Sequence, residues 1–212
     1  MKKTLFFLIG LCVFGVAFAQ DYPFTCTTEG AKLHYMSLDA KGNENGATIM
    51  EIVKVVPSGN DLTITQRSQL FISGNAFTDP VETVTMVRDG NVTIDFGGLS
   101  VAAEGAGFVL PRRLEVGLEL PTGEVTVYVM GVKTTQDISF HKVVAKEQLT
   151  VPAGTYECYV VERKYVARVM GLKVTGSMKI WYARGIGAVR TDNYDKKGKL
   201  SSSQVLQEVV LP

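Results

Sequence analysis

The stretch Leu172-Lys173-Val174-Thr175-Gly176-Ser177-Met178-Lys179-Ile180-Trp181-Tyr182 decides the fold class. Apolar side chains fall on nearly every second position, with lysine, threonine and serine between them. Successive side chains of an extended chain point to opposite faces, so this spacing gives one apolar and one polar face. It is the pattern of a strand with one face buried.

Outward from this stretch the alternation recurs, less cleanly, over 48–56, 61–72 and 124–130. Residues 81–88 and 91–96 are joined by Asp89-Gly90, a dipeptide that accepts the positive φ a tight hairpin demands. Further turn signals stand at Lys41-Gly42-Asn43, Ser58-Gly59-Asn60, Thr122-Gly123, Met170-Gly171 and Lys197-Gly198. Pro152-Ala153-Gly154 can turn the chain before a strand. Gly185 and Gly187, flanking Ile186, mark a bulge or a close backbone approach. No segment holds a helical period for longer than one short helix. The reading is all-β: a curved antiparallel meander sheet or open β-barrel of about ten strands, long enough that it should curl.

Composition narrows the function classes. The 212 residues carry 22 Lys and Arg against 21 Asp and Glu, and 20% are charged. That balance gives no electrostatic case for binding nucleic acid and is too ordinary for a disordered chain.

Residues 1–19 read as an export signal. Lys2 and Lys3 precede an uncharged apolar run over 5–16, and Ala17-Phe18-Ala19 supplies the small residues of a cleavage site. The run is short for a membrane span, and cleavage is expected after Ala19. Residues 20–212 then form a single domain, without Lys2 and Lys3, in the periplasm or cell envelope. No second long apolar run follows, so the chain is not expected to be an integral membrane protein.

Cys12 leaves with the signal, and Cys26 and Cys158 remain. In an oxidising compartment the pair is a disulfide candidate, worth about 4–5 kcal/mol in the chain-entropy model. The alternative is two separate buried thiols, each acting as a small apolar residue.

Motifs for chemistry are missing. There is no GxSxG elbow, no P-loop and no HExxH helix. His34 and His141 lie in separate predicted strands without a metal-spaced partner, and no cofactor is expected. A carboxylate pair is recognised only in space, so it stays open to the structure. The expectation is a protein that is not an enzyme.

Four segments carry a family resemblance. They are Glu29-Gly30-Ala31-Lys32-Leu33-His34-Tyr35 with Asp39-Ala40-Lys41-Gly42; Val151-Pro152-Ala153-Gly154-Thr155-Tyr156-Glu157-Cys158; Trp181-Tyr182-Ala183-Arg184-Gly185-Ile186-Gly187-Ala188-Val189-Arg190; and Tyr194-Asp195-Lys196-Lys197-Gly198-Lys199-Leu200. In that order they resemble the DUF3108-like (TapB-type) secreted proteins of Bacteroidetes. The resemblance implies a curved sheet or open barrel similar to periplasmic lipoprotein carriers, and it brings no catalytic residues with it. One departure is Arg184, where the family's usual segment has Pro.

A curled sheet has a concave face that can hold a ligand. The leading expectation is a hydrophobic or amphiphilic ligand, a lipid or a lipoprotein acyl chain. Met130, Met170 and Met178, with Tyr128, Tyr159 and Tyr165, are candidates for an adaptable lining, each also readable as ordinary core. Trp181 is a sheet-face aromatic that either packs or stacks on ligand. The apolar, glycine-rich segment 97–110, including Phe108 and Leu110, is a candidate lid. Arg112 and Arg113 follow it and are candidates for meeting an anionic head group at the mouth. The second expectation is an envelope interaction protein that holds a protein partner through its sheet edges or the apolar loop 97–111.

Overall fold

The computed structural model describes residues 22–95, 109–129 and 132–212. The expected leader, and most of the expected lid, lie outside the described residues. The strands are β1 (Lys32–Asp39), β2 (Glu44–Ser58), β3 (Asp61–Ile72), β4 (Asn75–Ala76), β5 (Val81–Arg88), β6 (Asn91–Asp95) and β7 (Val109–Leu110). They continue as β8 (Gly123–Val129), β9 (Val132–Val151), β10 (Gly154–Val169), β11 (Leu172–Ala183), β12 (Gly187–Asp195) and β13 (Leu200–Val210). No helix occurs among the described residues, so none there is long and apolar enough to cross a membrane.

All thirteen strands belong to one open antiparallel sheet, ordered β7-β6-β5-β3-β2-β1-β13-β12-β11-β10-β9-β8, with β4 beside β3. The count exceeds the expected ten partly because β4 and β7 are two-residue strands with too little pattern to read. β1 pairs with β13, so the first and last long strands meet in the middle and join two wings. At Asp89-Gly90 both φ values are positive, 49° and 80°, as the hairpin reading requires.

The sheet curls until its two edges share one stretch of chain. Val109 and Leu110 pair with β6, at one edge. β8 pairs with β9 only from Val132 to Ile138, so the rest of that β9 edge is open to another segment. Residues 117–120 take it: Gly117 N–H donates to Val143 O at 2.8 Å, Val143 N–H to Leu118 O at 2.9 Å, and Leu120 N–H to His141 O at 2.8 Å. Residues 111–116 alone cross the gap, which limits it to about 25 Å. The N-terminal segment closes one end. Gly185 N–H donates to Pro23 O at 2.8 Å, and a Cβ on Gly187 would lie 3.6 Å from Phe24 O. The close approach read from Gly185 and Gly187 is therefore to the N-terminal segment.

The concave side is filled by one inward residue after another: Leu33, Ile52, Ile64, Val143, Val161, Val189 and Leu206 are fully buried. Each contributes about 1.5–3 kcal/mol of transfer free energy.

Candidate functional site

The pairing of β10 with β11 runs without a slip from Cys158–Ala183 to Val169–Leu172. Directly opposed residues share a face, so Tyr159, Val161 and Arg163 point the same way as Tyr182, Ile180 and Met178. A cavity of about 220 Å³ lies on this side. Ile180, Tyr182, Ile186 and Ala188 line it from one wing and Tyr35, Met50, Val92 and Leu110 from the other, with Phe24 of the N-terminal segment.

The wall is not uniformly apolar. The described residues include seven buried polar or charged ones, and five of them line this cavity: Thr25, Gln66, Thr85, His141 and Arg163. Polar burial is therefore concentrated at one place in a core that otherwise avoids it. Thr85 Oγ1 donates to Gln66 Oε1 at 3.3 Å, and Gln66 Nε2 donates to Thr25 Oγ1 at 3.5 Å. The Tyr35 hydroxyl donates to Ala188 O at 3.0 Å.

Arg163 stands opposite His141 across β9 and β10. His141 Nδ1 lies 3.0 Å from Pro121 O, and a carbonyl only accepts, so Nδ1 carries the proton. Nε2 of the neutral ring is then an acceptor. Burial pushes the His141 pKa below its ordinary value, and the Arg163 charge acts in the same direction. Arg163 Nη2 donates to Met178 Sδ at 3.1 Å. Burial lowers its pKa too, with Tyr182 and Tyr165 acting against that. A guanidinium nevertheless stays charged at neutral pH.

This arrangement can hold an anionic group whose remaining surface is apolar. A guanidinium presents its donors in a fork that matches carboxylate and phosphate, and the apolar walls strengthen that contact. The volume is below the roughly 300–1,000 Å³ of sites that enclose drug-sized ligands. It suits a head group with a short chain. Among the described lining residues there is no Asp or Glu, and among the described residues no cluster of His, Cys, Asp and Glu is placed to hold a metal.

Of the residues singled out from sequence, Leu110 lines the cavity. Phe108, Met130 and the Tyr128 side chain lie outside the described residues. Arg112 and Arg113 are exposed and take no part in the lining. Arg112 braces the crossing segment instead: its N–H donates to Asn91 Oδ1 at 3.0 Å, and its side chain lies across Gly90, where a Cβ would come within 2.6 Å of Arg112 Cδ. Trp181 points away from the lining formed by its neighbours Ile180 and Tyr182. Its indole N–H donates to Glu147 Oε1 at 2.7 Å, and the Arg190 guanidinium lies 5.6 Å from the ring centroid.

The methionine and tyrosine lining is made by other residues than those expected. Met170 is 81% exposed, and Met178 accepts from Arg163. Tyr159 meets Phe24 edge-on at 5.7 Å. Tyr35, Tyr182 and Met50 provide the surface. Cys26 and Cys158 are two buried thiols in this structure.

Sequence reasoning missed Arg163. A signal exists: Tyr159, Val161, Tyr165, Ala167 and Val169 form an apolar row at period two, and Arg163 is the charged residue on it. Gln66 and Thr85 carry no comparable signal. They sit on strands rich in threonine, where an inward polar residue looks like any other.

No curated protein matches the chain. Two solved structures share its fold. One, described as an exported protein with a YmcC-like fold from Bacteroides fragilis, is 18% identical with a TM-score of 0.77, over 89% of this chain and 99% of that one. The other, described as a lipoprotein from Parabacteroides distasonis, is 19% identical with the same TM-score and the same coverage. At that identity the likeness establishes the fold alone. The family model that matches spans residues 28–206, and the chain belongs to the DUF3108-like family.

Proposed function

We propose that this protein is a non-catalytic binder of the cell envelope that holds an amphiphile in its β-cavity, anionic head toward Arg163 and apolar chain against the surrounding aliphatic and aromatic side chains. The observation that carries the reading is the burial of Arg163, 8% exposed, on the wall of a mostly apolar cavity. A guanidinium on such a wall can donate to an anionic head group, while the apolar side chains around it cover the attached chain. Placement in the envelope rests on the export signal read from residues 1–19 and on the relatives' descriptions as exported protein and lipoprotein.

The test is native mass spectrometry of protein exported with its own leader and purified gently, followed by organic extraction. The expected result is a reproducible adduct that is released on denaturation and extracts as an anionic amphiphile. A clean protein mass, with no uptake of added carboxylate amphiphiles, would overturn the proposal.

A further inference from the structure

We propose that the tip of the β10–β11 hairpin docks on the surface of an anionic lipid bilayer. β12 begins its pairing with β11 at Gly176, opposite Asp195, so residues 166–175 extend beyond β12, while β9 runs alongside β10 as far as Val169. Three apolar side chains at the hairpin's end face water: Met170 is 81% exposed, Leu172 72% and Val174 52%. Leu172 and Val174 continue the same row of β11 as Ile180. An apolar track therefore runs from the cavity wall to the tip.

The turn itself points to a purpose for Met170. Met170 and Gly171 have φ of 48° and 81°, matching Asp89 and Gly90 at 49° and 80°. Aspartate tolerates that conformation, whereas a bulky side chain is disfavoured there. The hairpin accepts local strain and presents a thioether to solvent.

Charge complementarity selects the occupant. Arg168 and Lys173 oppose each other beside the tip, both exposed. The adjacent β12–β13 turn adds exposed Lys196, Lys197 and Lys199. Asp195 closes that turn by accepting from the backbone N–H of Lys197 and Lys199. The acids of the projecting region, Glu124 and Asp137, face each other farther back, with Asp137 level with Val166. A few aliphatic side chains ringed by lysine and arginine are too small a patch for a stable protein interface. They suit shallow insertion among anionic head groups, where each basic residue adds attraction.

Co-sedimentation with vesicles tests this. The protein should partition roughly tenfold or more in favour of equimolar phosphatidylcholine–phosphatidylglycerol over phosphatidylcholine alone, and the preference should fall with added salt. Met170→Asn suits the turn better, so it should melt no lower than the parent while losing most vesicle binding. Leu172→Ser should lose binding as well, and Arg168→Gln with Lys173→Gln should lose the preference for anionic lipid. Equal partition to both vesicle types, or undiminished binding by Met170→Asn and Leu172→Ser, would overturn the proposal. The readout does not involve the cavity, so its failure would leave the ligand-binding reading to be judged on its own test.

Discussion

Arg163 on β10 and His141 on β9 stand directly opposite each other, and both side chains are buried on the cavity wall. The pairing of the two longest strands fixes their separation, so the positions of these two groups are set by a backbone ladder. A loop would hold them less rigidly. The same two groups influence each other, since the guanidinium charge makes the imidazole harder to protonate.

The buried imidazole sets a pH dependence. His141 has a lowered pKa in the folded protein, chiefly through burial, and an ordinary one near 6.5 when unfolded. Below about pH 6.5 the unfolded chain therefore binds more protons, and stability falls as pH drops through that value. Thermal melting between about pH 7.5 and about pH 5.5 should show this decline, and His141→Gln should flatten it. A profile equally steep in His141→Gln would show that other groups set it. Asp39 and Asp195 have pKa values lowered chiefly by hydrogen bonds from Asn43 and Lys199, respectively. Their contribution is lost at lower pH, as it falls through the usual carboxylate range and below.

Arg184 ties three parts of the chain together. It donates to Tyr22 O at 2.8 Å and to Arg112 O at 3.0 Å, and its guanidinium lies 4.6 Å from the centroid of the Phe24 ring. The N-terminal segment and the crossing segment are thereby held by one side chain. A proline at this position could make none of these contacts. Arg184→Met should cost about 1–3 kcal/mol, seen as a lower melting temperature of several degrees. An unchanged melting temperature would mean that the closure is held elsewhere.

Much of the fold was legible because its signals are local. The alternation over 172–182 assigns every residue a face, and Asp89-Gly90 names its own turn geometry. The cavity was less legible because its residues come from both wings, and only the curl brings Leu110 and Val92 opposite Ile180 and Tyr182. Arg163 sits within Glu162-Arg163-Lys164, which reads as an exposed charged run until alternation separates its members. Residues 117–120 gave no strand pattern at all. They pair because an open edge of β9 is available.

The two thiols give a chemical test of the interior. Burial pushes the Cys158 thiol up to about 11, with Glu147 and Glu157 adding to it, and burial raises Cys26 as well. Neither should react with iodoacetamide at neutral pH in the folded protein, and both should react in denaturant. The intact mass should carry both thiol hydrogens. A mass short by a pair of hydrogens would show that the cysteines are bridged.

The measurement that tests the central claim most directly is calorimetric titration with octanoate and with octan-1-ol, on the parent protein and on Arg163→Met. The pair shares an apolar chain and differs in the group that would meet the guanidinium. Octanoate should bind roughly tenfold or more tightly than the alcohol, because a charge-assisted contact in an apolar site is worth more than a neutral one. Arg163→Met should lose that preference while still accepting the alcohol. Equal affinity for the two probes, or a preference for octanoate that survives Arg163→Met, would contradict the assignment of this cavity to an anionic amphiphile.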